Sequence, residues 1–74
     1  MRGVKESQLL VVNANSIDVE DKVMEIVEEY CDYVHLRAKT MSKQDMNLAI
    51  EIKVEEQKEM MHELAKLENI TSLS

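Results

Sequence analysis

Proline is absent from this chain, glycine occurs once (Gly3), and there is no Phe or Trp; Tyr30 and Tyr33 are the only aromatics and Cys31 the only cysteine. Each scarcity excludes something. One cysteine allows no intrachain disulfide and no CxxC pair, so a reducing cytoplasm is the expected setting. The glycine-rich P-loop and GxGxxG cradles are missing, as are HExxH and GxSxG. Basic residues are also few: nine Lys and Arg stand against fifteen Asp and Glu, a net charge of −6 and a pI near 4.8. That balance disfavours a nucleic-acid or anionic-membrane binder, since both need clustered cations. No apolar run approaches the roughly 20 residues of a membrane span, and Leu9–Val12 is too short for the core of a signal peptide.

What is present is ordinary for a globular domain: 45% hydrophobic and 32% charged residues in 74. A chain this short buries only about 60% of its unfolded surface, so its core is thin and an oligomer would help it. Val, Ile, Leu and six Met must build that core without large rings. Charge is segregated along the chain. Residues 18–32 carry seven acids against Lys22 alone, and residues 55–68 carry five against Lys58 and Lys66. Between them, residues 33–53 hold Arg37, Lys39, Lys43 and Lys53 against Asp45 and Glu51.

Two runs of period two give the architecture. Val34, Leu36 and Ala38, and then Met46, Leu48, Ile50, Ile52 and Val54, are apolar at alternate positions, the mark of strands with one buried face. Folded about Lys43, they place Val34 opposite Ile52, Leu36 opposite Ile50 and Ala38 opposite Leu48. On the other face Tyr33 meets Lys53, His35 meets Glu51, Arg37 meets Ala49 and Lys39 meets Asn47. Met41 to Asp45 is the expected loop. Upstream, residues 1–7 read as a polar tail or linker, and Gln8–Val12 as a central strand apolar enough for cover on both faces. Asp18 is the expected cap of a helix from Val19 to Tyr30, with Val19, Val23, Ile26, Val27 and Tyr30 forming its apolar stripe and Cys31 and Asp32 closing it before the hairpin. A second helix spans Glu55–Leu67 on the stripe Met60, Met61, Leu64 and Leu67. Asn69 is its left-handed terminator, and Ile70–Leu73 starts a last strand.

The order strand, helix, strand, strand, helix, strand is that of the split βαβ, or ferredoxin-like, sandwich. The expected fold is therefore α+β, an antiparallel sheet of order 4-1-3-2 with two helices on one face, over a single domain 8–74 that is a fragment of a larger protein. A three-helix bundle competes because breakers are few, but the hairpin alternation fits period 2 and fails 3.6.

No acid–base or nucleophile constellation is legible, so no enzyme, cofactor or metal is expected. The carboxylates lie on helix surfaces, where acids are simply solvated. His35 and His62 fall on opposite sides of the sheet, and Cys31 sits among acids that oppose thiolate formation. Two places rise above this background. One is the uncovered sheet face with Tyr33, His35, Arg37, Lys39, Glu51 and Lys53, a candidate interface; strand 1 adds either Leu9 and Val11 or Leu10 and Val12 to it. The other is the turn into helix 1, where Asn13, Asn15 and Ser16 are candidate ligand residues at free N–H groups.

The run Leu9-Leu10-Val11-Val12 into Asn13-Ala14-Asn15, the helix Val19–Tyr30, the long hairpin and Glu55–Leu67 together resemble the ACT-like regulatory domains, over residues 8–74. The resemblance implies a regulatory module that pairs with itself and, in ligand-binding members, holds a metabolite or anion at a dimer interface near residues 13–18. Those members carry Gly, often after Pro, in that turn; this chain has neither there, and no ligand residue is carried over. Val27-Glu28-Glu29-Tyr30-Cys31-Asp32-Tyr33-Val34 is also similar to cytoplasmic C-terminal domains of bacterial multi-span membrane proteins of the magnesium-transport-associated MgtC type. That implies a tether upstream of Met1–Lys5 at the inner membrane, with no insertion by this segment itself. The expected function is a non-catalytic regulatory or assembly domain, a homodimer or a dock for other domains of its parent, acting through sheet edge or open face. The alternative is a small-ligand sensor.

Overall fold

The computed structural model describes residues 6–43 and 45–73. Residues 1–5 of the expected tail, Gln44 of the hairpin link and Ser74 lie outside the described residues. The elements run β1 (Gln8–Ala14), a 3-10 turn (Ile17–Val19), α1 (Glu20–Tyr30), β2 (Cys31–Ser42), β3 (Asp45–Val54), α2 (Gln57–Ala65) and β4 (Ile70–Leu73). All pairings are antiparallel, and the open sheet is ordered β2-β3-β1-β4, with β3 and β1 in its centre.

The core follows from parity. In β1, Leu10, Val12 and Ala14 are buried, and in β3 Met46, Leu48, Ile50, Ile52 and Val54. Val19, Val23 and Val27 come down from the first helical segment and Met60 and Leu64 from α2. Both helices thus cover the even-numbered face of β1 and β3. Without Phe or Trp, this layer consists of aliphatic and Met side chains, each contributing about 1.5–3 kcal/mol when fully buried. Cys31 joins its margin, its Sγ 3.6 Å from the Met60 sulfur.

Several local expectations are corrected. Asp18 is not the cap. Ser16 caps the 3-10 turn, its hydroxyl accepting from the Asp18 N–H at 3.2 Å, and α1 continues from that turn. Cys31 takes extended angles directly after Tyr30, so α1 enters β2 without a loop. The hairpin is tighter than five residues: Ser42 pairs with Asp45, and Lys43 adopts φ 47°. α2 is shorter than Glu55–Leu67, and left-handed Asn69 (φ 77°) turns the chain toward β4 three residues beyond the helix cap at Lys66.

The largest correction is in β2, which carries two bulges, one between Cys31 and Tyr33 and one between Leu36 and Ala38. Up to the second bulge the expected register holds: Tyr33 opposite Lys53, Val34 opposite Ile52, His35 opposite Glu51 and Leu36 opposite Ile50. Beyond it, parity flips. Ala38 faces Ala49, not Leu48, and Lys39 faces Leu48, not Asn47; Thr40 takes the place opposite Asn47. An extra residue in one strand of a pair has this effect, and an edge strand absorbs it most easily.

Candidate functional site

The face of the sheet opposite the helices is where the candidate residues gather. β1 contributes Leu9 and Val11 to it, resolving that alternative against Leu10 and Val12, which are in the core. Leu9 is 56% exposed and Val11 half-buried. Strand 1 therefore has the two-sided apolar composition of a covered strand, but the described residues cover it on one side only.

Register arranges this face in rows across the strands. The outermost row is Tyr33–Lys53, next is His35–Glu51–Leu9, then Ala38–Ala49–Val11, then Thr40–Asn47–Asn13–Ser72, and last Ser42–Asp45. The middle is small and apolar and both ends are polar. At one end the Tyr33 and His35 rings stack, with centroids 6.5 Å apart and planes 11° from parallel. The Lys53 ammonium lies 5.7 Å from the Tyr33 ring centroid, a cation–π contact. Arg37, displaced by its bulge, reaches Glu51 at 3.2 Å. Both partners are solvated, so this pair is worth about 0–1 kcal/mol, and it engages Glu51, the residue opposite His35 in the register.

At the other end an amide ladder crosses three strands. Asn47 Nδ2 donates to Asn13 Oδ1, and Asn13 Nδ2 donates to Ser72 Oγ at 2.8 Å. With Thr40, Asp45 and Thr71 these residues line an open recess of about 430 Å³. Asn47 was legible as an outward position from the parity of Leu48 and Ile50. Ser72 was not, because it depends on a pairing of residues 59 apart in the chain.

The candidate residues divide accordingly. Tyr33, His35, Arg37, Glu51 and Lys53 come together on the open face. Lys39 does not: on the helix side after the bulge, its ammonium bonds the Glu20 carboxylate at 2.7 Å. Nor do Asn13, Asn15 and Ser16 converge. Asn13 belongs to the amide ladder. Asn15 donates its backbone N–H to the Asn69 carbonyl at 2.8 Å. The Ser16 hydroxyl serves as cap and borders a separate recess of about 300 Å³ with Asp18, Lys22 and Lys66.

A third concavity lies over the helices, between Tyr30, Glu59, His62 and Glu63. Desolvation holds the Tyr30 phenol above its usual pKa, reinforced by the carboxylates of Glu63, Glu29, Glu59 and Glu56. Glu56 is also raised, by its side-chain hydrogen bond with Glu59, by the charge of Glu59 and by desolvation. Among the described residues no three His, Cys, Asp or Glu side chains are placed to hold a metal ion, and no helix is long and apolar enough to cross a membrane. No protein-family model matches the chain, and no curated protein matches it.

Proposed function

We propose that this chain is a non-catalytic assembly domain of the ferredoxin-like, ACT-like kind, which associates with a second copy of itself through the open sheet face. The observation that carries the reading is β1: four consecutive apolar residues, Leu9 to Val12, in a central strand, with Leu9 56% exposed. Exposing one face of a strand composed for two-sided burial is costly until something covers it. The layout of that face supports the reading, because an apolar centre within a polar rim is the usual anatomy of a protein interface. The polar side chains there bond one another along the sheet, Arg37 with Glu51 and Asn13 with Asn47 and Ser72. The observed order β2-β3-β1-β4, counted from the other edge, is 4-1-3-2 and supports the ferredoxin-like reading.

The test is solution mass by light scattering over a concentration series, for the natural chain and for Leu9→Asp. The expected result is a reversible dimer that Leu9→Asp converts to monomer at least tenfold more readily, with circular dichroism unchanged, since a desolvated charge at a packed interface costs several kcal/mol. A natural chain that is monomeric at every concentration, or a dimer indifferent to Leu9→Asp, overturns the proposal.

A further inference from the structure

The rows of the open face contain a self-complementary charge arrangement, which rests on the assembly reading above and gives it a geometry. β3 presents Asp45, Asn47, Ala49, Glu51 and Lys53 outward, at every second position, without a bulge. Ala49 is the middle of this series, four residues from Asp45 and four from Lys53. Its row, Ala38–Ala49–Val11, is the least bulky on the face. The cations of the face, Lys53 and Arg37, lie to one side of that row, and Asp45 lies to the other; Glu51 is taken by Arg37.

We infer that two copies pack face to face about a two-fold axis running along the Ala38–Ala49–Val11 row, so that Lys53 of each copy meets Asp45 of the other. The alternative axis, parallel to the strands, stacks like ends: Lys53 and Arg37 then crowd their own counterparts, and the two Asp45 carboxylates face each other across the far end. Like charges across an interface oppose association, whereas the inferred axis converts both ends into opposite-charge pairs. It also brings Ala49 onto Ala49 and Val11 onto Val11, allowing close approach where the side chains are smallest. Packed sheets stand about 10 Å apart with strands within about 30° of alignment, a gap that an extended Lys arm and an Asp carboxyl span together. Strands of 12, 10, 7 and 4 residues, at about 3.3 Å rise and about 4.8 Å spacing, give a face of roughly 500 Å². A patch of this size belongs with small, reversible interfaces rather than obligate ones.

The contact is isologous, so each charge change acts twice per dimer. Lys53→Asp alone sets Asp against Asp45, and Asp45→Lys alone sets Lys against Lys53. Each variant is expected to weaken dimerisation at least tenfold at low salt. Mixing the two variants restores both opposite-charge pairs in a heterodimer, whose affinity returns to within about threefold of the natural chain; the double variant with both changes also recovers. Sedimentation velocity reads the natural chain and all four variant samples, and circular dichroism melts check that each variant is folded. Single variants that dimerise like the natural chain, or a mixture no tighter than its components, overturn the two-fold arrangement. If Leu9→Asp dissociates the dimer while the charge variants do not, the assembly reading stands and this geometry alone falls. If the natural chain stays monomeric, both fall.

Discussion

Glu56 and Glu59 meet at the entrance to α2, where two carboxyls share a hydrogen bond, and Glu56 keeps its proton to a higher pH than an isolated side chain. A group whose pKa is raised on folding binds more protons in the folded state, so its stabilising contribution is complete below the unfolded pKa and is lost as pH rises through the folded one. Glu56→Gln preserves a donor and removes the charge. The variant should melt with the natural chain at acid pH and above it at neutral pH, with the gap opening across the carboxylate range. An offset equal at both pH values would remove the shared proton from the account. Lys39 teaches a different lesson at this scale. Strict alternation placed it on the open face, and the bulge between Leu36 and Ala38 turned it instead to the helix side, within reach of Glu20, nineteen residues earlier.

At the scale of elements, the hairpin has a local conflict that can be relieved. Lys43 sits at φ 47°, a left-handed conformation that costs a residue with a Cβ about 1–2 kcal/mol. Lys43→Gly removes that cost but adds backbone freedom to the unfolded chain. A net gain of about 0.5–1 kcal/mol is expected, read as a rise of roughly 3–6 °C in melting temperature for a domain of this size. A lower melting temperature would mean that the Lys43 side chain supports the turn. Helices and strands were legible because each is a repeat within contiguous residues: the Val23–Val27 and Met60–Leu64 spacings for α1 and α2, the alternation in β3. Their ends were less so. Asp18 and Ser16 are both good caps by composition, and the three-residue turn Ile17–Val19, which contains Asp18, decided for Ser16.

The whole molecule is a single layer of helix against a single sheet, so its stability is concentrated in few residues. Ile50 is fully buried in the central strand β3, between Leu10 and Leu36 in the register. Ile50→Asp removes about 2–5 kcal/mol of packing and leaves a charge without water, against a total stability of about 5–15 kcal/mol for any domain. The variant should be unfolded at room temperature, with a collapsed circular dichroism signal and no cooperative melt. A melt like that of the natural chain would refute the assignment of the even-numbered face to the core.

Element order, the two hydrophobic stripes and the inward face of β3 were determined by the sequence alone, because periodicity is carried by neighbouring residues and needs no partner. The same holds for the outward set Tyr33, His35, Glu51 and Lys53, which lies before the second bulge. Tertiary structure decided what depends on distant pairings. It placed Leu9 rather than Leu10 on the open face, since only pairing with β3 selects which side of a uniformly apolar strand faces the helices. It inserted Arg37 as an extra residue, exchanging Ala38 for Lys39 on the helix side, where the ammonium finds Glu20. And it drew Asn13, Asn47 and Ser72 into one row from three strands, because in a sheet a row belongs to the register between strands and not to any strand by itself.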